Sequence, residues 1–158
     1  MLKISKLTDY AILLLGQMAG DVDRTHTAAE LAEATGVALP TVSKILKILG
    51  KAGILRSTRG AHGGYMLAQA PEQTSVAAVI KALEGPIALT ECEGEHGGCE
   101  QSPNCHARSS WDVINRAVRA ALESVSLADM ARPSNPPPAE VFVPLSSLLP
   151  HKPSISAE

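Results

Sequence analysis

At 158 residues the chain is one domain, or one small domain with an arm, large enough to bury a core. The formal charge of −2 hides an asymmetry: residues 1–60 carry eight Lys/Arg against five Asp/Glu, residues 61–158 six against eleven. No apolar run approaches the ~20 residues of a membrane helix and Ala11–Leu15 is too short for a signal segment, which excludes a membrane role and predicts a cytoplasmic protein.

The first predicted element is a helix over Ser5–Met18, with Leu7, Tyr10, Ala11, Leu14, Leu15 and Met18 on one face. Ser5 or Thr8 can cap it and Gly20 ends it. Asp9 lies in its first turn, where a carboxylate favours the helix dipole. A short helix over Thr27–Thr35 follows, then a turn at Gly36-Val37-Ala38 and a second helix starting at Pro40. In that second helix Val42, Ile45, Leu46 and Leu49 form a buried stripe, and Lys44, Lys47 and Lys51 line the opposite side. Two short helices about a glycine-containing turn, the second basic outside, make a helix-turn-helix. Its recognition helix offers Thr41, Ser43, Lys44 and Lys47 to a major groove, the lysines mainly to phosphates. No acid occurs between Ala34 and Pro71, a window that also holds Arg56 and Arg59, as a polyanion partner requires.

Ile54–Thr58 reads as a strand and Gly64–Leu67 as its return, joined by Arg59-Gly60-Ala61-His62-Gly63. A hairpin directly after a recognition helix is a wing. Arg59 at its tip suits a narrow minor groove, and Arg56 and His62 join it as candidate DNA contacts. From Thr74 another helix is expected, capped by Ser75, with Val76, Val79, Ile80 and Leu83 inward and an end at Gly85-Pro86.

Next comes Glu91–His106, ECEGEHGGCEQSPNCH, which holds all three cysteines, Cys92, Cys99 and Cys105, spaced C-x6-C-x5-C. Glycines, Pro103 and acidic neighbours surround them, so they do not read as packed core thiols. An odd number also leaves no complete disulfide framework. Thiolates gathered in one loop suit a soft metal centre. Zinc sites usually begin with closer pairs, so these gaps favour something larger, such as an iron–sulfur cluster, although both gaps can fold around either centre. A thiol-only oxidant switch is a further reading. After the loop a helix is expected from about Ser110 to Val125. Its stripe of Trp111, Ile114, Val118, Ala121, Leu122 and Val125 faces away from Asp112, Arg116, Arg119 and Glu123. A winged helix already has its core, so this appended amphipathic helix suits pairing with a second subunit, and a twofold dimer suits a palindromic operator. Pro133 onward holds seven of the eleven prolines and reads as a mostly disordered tail.

The chain resembles the winged-helix iron–sulfur transcriptional regulators of the IscR/NsrR type, and most closely the branch that regulates SUF-type cluster assembly. The resemblance rests on ISKLTDYA, PTVSKILK, RGAHGGY, GPIALTEC, the three cysteines and WDVINRAVRAALESVSLADMA, in that order, and covers residues 1 to about 131. It implies a homodimeric DNA-binding regulator, a repressor, whose affinity for a double-stranded operator depends on a cluster held by Cys92, Cys99 and Cys105. In the IscR branch a histidine ligand stands three residues after the last cysteine, but Arg108 occupies that place here. Cluster type, 2Fe-2S or 4Fe-4S, and fourth ligand are therefore open. His106 adjoins Cys105, and neighbouring side chains diverge; His96 could reach from mid-loop, but nothing fixes it there. Asp9 stands where the aspartate of NsrR-like relatives completes the cluster from the opposite subunit, and is the preferred fourth ligand.

The expected fold is mostly α with a small β-hairpin. A winged helix-turn-helix occupies 1–72, a cluster-binding loop with dimerisation helices 73–131, and the tail 132–158. No nucleophile–base motif accompanies the five histidines, so neither an enzyme nor a small-molecule substrate is expected. A nitric-oxide- or iron-responsive repressor of the same kind, or a zinc-stabilised winged-helix regulator, would share the fold.

Overall fold

Four of the helices begin at a side chain that accepts a backbone N–H, which meets one of the donors a helix start leaves without a partner. The computed structural model describes residues 3–60, 63–90 and 108–132. Within them run α1 (Lys6–Ala19), α2 (Ala28–Thr35), α3 (Leu39–Lys51), β1 (Leu55–Thr58), β2 (Gly64–Leu67), a 3-10 turn (Pro71–Gln73), α4 (Val76–Glu84), α5 (Arg108–Ser124) and α6 (Leu127–Ala131). Ser5 caps α1, Thr27 caps α2 and Ser75 caps α4, while Ser126 caps α6. In α2 and α6 the third helical residue, Glu30 or Asp129, reaches back to the cap's own N–H and closes a capping box. Hydrogen bonds from Thr27 hold the Glu30 carboxyl below the usual carboxylate range, and those from Ser126 do the same for Asp129. Helix α3 has no side-chain cap and starts instead with Pro40 in its first turn.

The mostly helical fold with one small hairpin matches the sequence expectation, and the boundaries move by one or two residues. Helix α3 begins at Leu39 rather than Pro40, β1 at Leu55 rather than Ile54, and α5 spans Arg108–Ser124 rather than Ser110–Val125. Thr8 is no cap: its side chain is buried in the interior side of α1, and Ser5 does the capping. The expected tail from residue 133 lies outside the described residues.

The core is assembled from Ala11, Leu14, Leu15 and Met18 of α1, Leu31 of α2, and Val42, Ile45, Leu46 and Leu49 of α3. Leu55 and Leu67 of the hairpin, Val79 of α4 and Leu127 of α6 complete it. Each fully buried leucine or isoleucine contributes about 1.5–3 kcal/mol of hydrophobic free energy, set against the chain's loss of entropy. Gly36, at φ 70°, turns the chain between α2 and α3 in the left-handed region that a side chain disfavours.

β1 and β2 pair antiparallel, Leu55 opposite Leu67 and Arg56 opposite Met66. A third piece of backbone joins them: His26 N–H donates to Tyr65 O and Tyr65 N–H to His26 O, both at 2.8 Å. Gly64 makes that approach possible, because a Cβ there would lie 2.6 Å from His26 O. The start of α4 and the start of α6 are likewise stitched together, Val76 N–H to Val125 O at 2.9 Å and Leu127 N–H to Thr74 O at 2.7 Å. Among the described residues, no helix is long and apolar enough to cross a membrane.

Candidate nucleic-acid interface and cysteine segment

Helix α3 presents its two faces as its sequence dictates. Val42, Ile45, Leu46 and Leu49 are fully buried, and Ser43, Lys44, Lys47 and Lys51 are exposed on the other side. Thr41 is half-buried in the first turn, its N–H bonded to Ala38 O at 2.9 Å. The N-terminal turns of α3 therefore combine a helix dipole's positive end, hydroxyls and lysines with no carboxylate on the same helix. Charge and spacing do not single out one exposed neighbour of this face. Leu39, the first residue of α3, is 47% exposed beside the polar residues, and an apolar side chain there is suited to a thymine methyl group. Its signal in the sequence is an apolar residue placed immediately before Pro40, outside the buried period.

Arg56 on β1 and Arg59 just beyond it are both exposed, on a hairpin held to the body through His26 and Tyr65. His62 lies outside the described residues, as do Cys92, Cys99, Cys105, His96 and His106. The structure thus places Thr41, Ser43, Lys44, Lys47, Arg56 and Arg59 on α3 and the hairpin that follows it. Among the described residues no three His, Cys, Asp or Glu side chains gather into a metal-holding group.

Asp9 is exposed in the first turn of α1, on the surface rather than against the core. The end of α1 that carries it is fixed from elsewhere. Glu84, the last residue of α4, accepts the Ser5 backbone N–H at 3.1 Å and the buried Thr8 hydroxyl on the same carboxylate oxygen. Hydrogen bonds from Ser5 and then Thr8 hold the Glu84 carboxyl below the usual range. The residue that closes α4 thus grips the start of α1.

The cysteine segment leaves from a framework that is described on both sides. Before it, Leu89 N–H donates to Asn115 Oδ1 at 2.8 Å, and Arg119 donates to Ile87 O at 3.2 Å. Both Asn115 and Arg119 stand on α5, so the backbone just ahead of the cysteines is strapped to the helix that follows them. Asn115 is 1% exposed, the most buried position described on α5, whereas the predicted apolar stripe is open at its start. Trp111 is 41% and Ile114 43% exposed, with Val113 beside them; Val118, Ala121, Leu122 and Val125 are half-buried. An iron–sulfur centre suits this donor set. Three thiols fall in one segment, and two buried polar atoms beside its start, Thr90 Oγ1 and Asn115 Nδ2, have no hydrogen-bond partner among the described residues. Position 108, where a histidine ligand stands in the resembled branch, is the arginine that opens α5.

Residues 4–133 match the Rrf2 family, described as an iron-dependent transcriptional regulator. The chain is similar to Protein rrf2 of Nitratidesulfovibrio vulgaris (strain Hildenborough), 36% identical over 103 residues, which is 65% of this chain and 69% of the relative. It is 30% identical over 131 residues to the HTH-type transcriptional regulator NsrR of Geobacillus kaustophilus, spanning 82% of this chain and 89% of that one. Among solved structures, T. potens IscR superimposes with a TM-score of 0.61 at 28% identity, covering 82% of this chain and 85% of the other.

Proposed function

The chain belongs to the Rrf2 family of transcriptional regulators, and from that premise we propose that it is a homodimeric, iron–sulfur cluster-sensing repressor that binds an operator through α3 and the wing. The observation that carries the reading is the three-thiol segment, which falls between α4 and α5 in the chain, with the backbone just ahead of it at Ile87 and Leu89 strapped to α5 by Arg119 and Asn115. When bound, the cluster supplies a centre sensitive to oxygen, nitric oxide or iron supply, and Cys92, Cys99 and Cys105 are its protein thiolates. Residues 1–72 form the DNA-binding unit and 73–131 the sensing and pairing unit.

Lys44, Lys47 and Arg56 meet phosphates, Thr41 and Ser43 reach base edges or phosphates, and Arg59 enters the minor groove from the wing, with His62 as a further candidate contact. Asp9 is the fourth ligand, supplied by the partner subunit. Its exposure leaves it open to a second subunit, and the grip of Glu84 fixes the helix end that carries it. On this reading losing the cluster frees one subunit's DNA-binding unit from the other's sensing segment, and the spacing of the recognition helices changes. The motif resemblance supports cluster-assembly genes of the SUF type as targets.

The test is anaerobic isolation with iron and acid-labile sulfide assays, followed by operator binding before and after cluster loss. Coloured protein with iron and sulfide, whose Cys92→Ala, Cys99→Ala and Cys105→Ala variants are colourless but folded, is the expected result. Colourless wild type with stoichiometric zinc would replace the reading with a zinc-stabilised regulator. For the fourth ligand, Asp9→Ala is compared with His96→Ala and His106→Ala. Asp9→Ala should change the spectrum and shorten cluster lifetime in air, and a wild-type spectrum and lifetime in Asp9→Ala alone would pass the role to a histidine.

A further inference from the structure

A buried asparagine on the packed face of α5 is costly unless both ends of its amide are satisfied, at about 1–3 kcal/mol for each group left without a partner. At Asn115 the orientation of the amide follows from its partner. The Leu89 N–H, 2.8 Å away, can only donate, so the atom facing it is the carbonyl oxygen and the NH2 group is turned elsewhere. That NH2 group is buried and has no acceptor among the described residues, and neither has the buried hydroxyl of Thr90, one residue beyond Leu89. Two unused donors therefore stand beside the start of the cysteine segment: that of Thr90, the last described residue before it, and that of Asn115, which holds Leu89. The bond to Leu89 accounts for the carbonyl end of Asn115, at a position only 1% exposed, but not for its NH2 end.

What these atoms lack is an acceptor that donates nothing in return. Thiolate and sulfide sulfur of a cluster is such an acceptor, and Cys92 follows Thr90 by two residues, within about 7 Å of chain whatever its course. We propose that Asn115 Nδ2 and Thr90 Oγ1 are positioning residues that donate hydrogen bonds to the sulfur of the cluster centre, and thereby raise its reduction potential. This rests on the cluster reading above. Donors to sulfur stabilise the more negative, reduced state, so their removal disfavours reduction. Asn115 also holds the Leu89 backbone, so a single side chain fixes the entrance of the segment and touches the centre.

The experiment uses full-length, anaerobically isolated protein. Thr90→Val removes the hydroxyl at nearly constant shape, Thr90→Ser restores it, and Asn115→Asp keeps the Leu89 acceptor while replacing the NH2 donor with an oxygen. Iron and sulfide content, helical circular dichroism of the cluster-free form, and a spectroscopically followed redox titration are measured for each. Thr90→Val and Asn115→Asp are expected to retain iron, sulfide and helicity but shift the one-electron reduction equilibrium toward the oxidised form by up to about tenfold, or about 59 mV. Thr90→Ser should titrate like wild type. Loaded variants with wild-type potentials would overturn the donor assignment while leaving the cluster reading intact. Wild type without iron and sulfide overturns both. If Asn115→Asp loses its helicity, Thr90→Val against Thr90→Ser decides the matter.

Discussion

Helices α3 and α5 are both amphipathic, yet they bury opposite kinds of face. In α3 the apolar stripe of Val42, Ile45, Leu46 and Leu49 is satisfied inside the chain, which leaves lysines and hydroxyls outward. In α5 the chain buries an asparagine and leaves Trp111, Val113 and Ile114 at the surface. A polar face left over after the core is complete can serve a polyanion, whose attraction is electrostatic and weakens with salt. An apolar face left over calls for another apolar surface, because exposed aromatic and aliphatic patches mark interaction sites. The same periodicity in sequence therefore leaves two different kinds of outer surface, and only the location of the core tells them apart.

The sharpest way to break this comparison is to truncate the same kind of side chain on each helix. Leu46→Ala should destabilise the fold by about 2–5 kcal/mol, since a fully buried leucine leaves a cavity. Ile114→Ala should cost far less in the dissociated subunit, as read by denaturant unfolding at low protein concentration. Equal destabilisation would make the α5 stripe core rather than interface. Next in size is Ile114→Glu, which places a charge in the proposed pairing face. Sedimentation should show a monomer, and operator affinity should fall about 100-fold as the second half-site becomes a separate binding event. An unchanged dimer that still binds its operator would contradict the role given to α5.

On α3 the expected effects are smaller and of another kind. Lys44→Ala or Lys47→Ala should weaken binding across sequences and reduce the slope of log affinity against log salt by about 0.9 for each phosphate no longer neutralised. Slopes equal to wild type in both variants would remove these lysines from the interface. The smallest effect belongs to Glu84. Its carboxyl titrates lower in the folded chain than its ordinary value, so its stabilising contribution is complete above about pH 4.3 and disappears as pH falls through the lowered folded value. Glu84→Gln should therefore flatten the acid limb of stability by lowering stability at neutral pH toward its acid value, with little change below the folded value. An acid limb as steep as wild type would mean that the grip on Ser5 and Thr8 does not depend on the charge.

Much of the fold is legible in the sequence because it is locally encoded. Ser5, Thr27, Ser75, Gly36 and Gly85 mark helix ends by short-range hydrogen bonds and backbone geometry, and the stripes of α1 and α3 repeat at helical spacing. Other features leave no such trace. Thr8 is buried because Glu84, distant along the chain, accepts its hydroxyl, and Asn115 because Leu89 needs an acceptor. Neither pairing has a period. Helix α6 escapes a periodic reading because five residues are too few to show one, although Leu127 is wholly buried and the Ser126–Asp129 capping box stands in plain view. At the proposed site, the residue types of α3 and the wing can be read from charge and spacing. The orphaned donors at Thr90 and Asn115 cannot, because absence of a partner is a property of three-dimensional surroundings.

The stitch between the starts of α4 and α6 has an evolutionary consequence. Everything from Gly85 to Ser124 leaves and returns to a base fixed by backbone bonds at Val76–Val125 and Thr74–Leu127, while the straps at Leu89 and Ile87 set where the excursion begins to vary. Closing a loop between fixed ends costs only about 0.6 kcal/mol more for each doubling of its length. The number of residues between the cysteines, and the residue at position 108, can therefore drift at little cost to the body of the fold. A family built on this base is free to vary this segment while leaving the outer surface of α3 and the hairpin untouched.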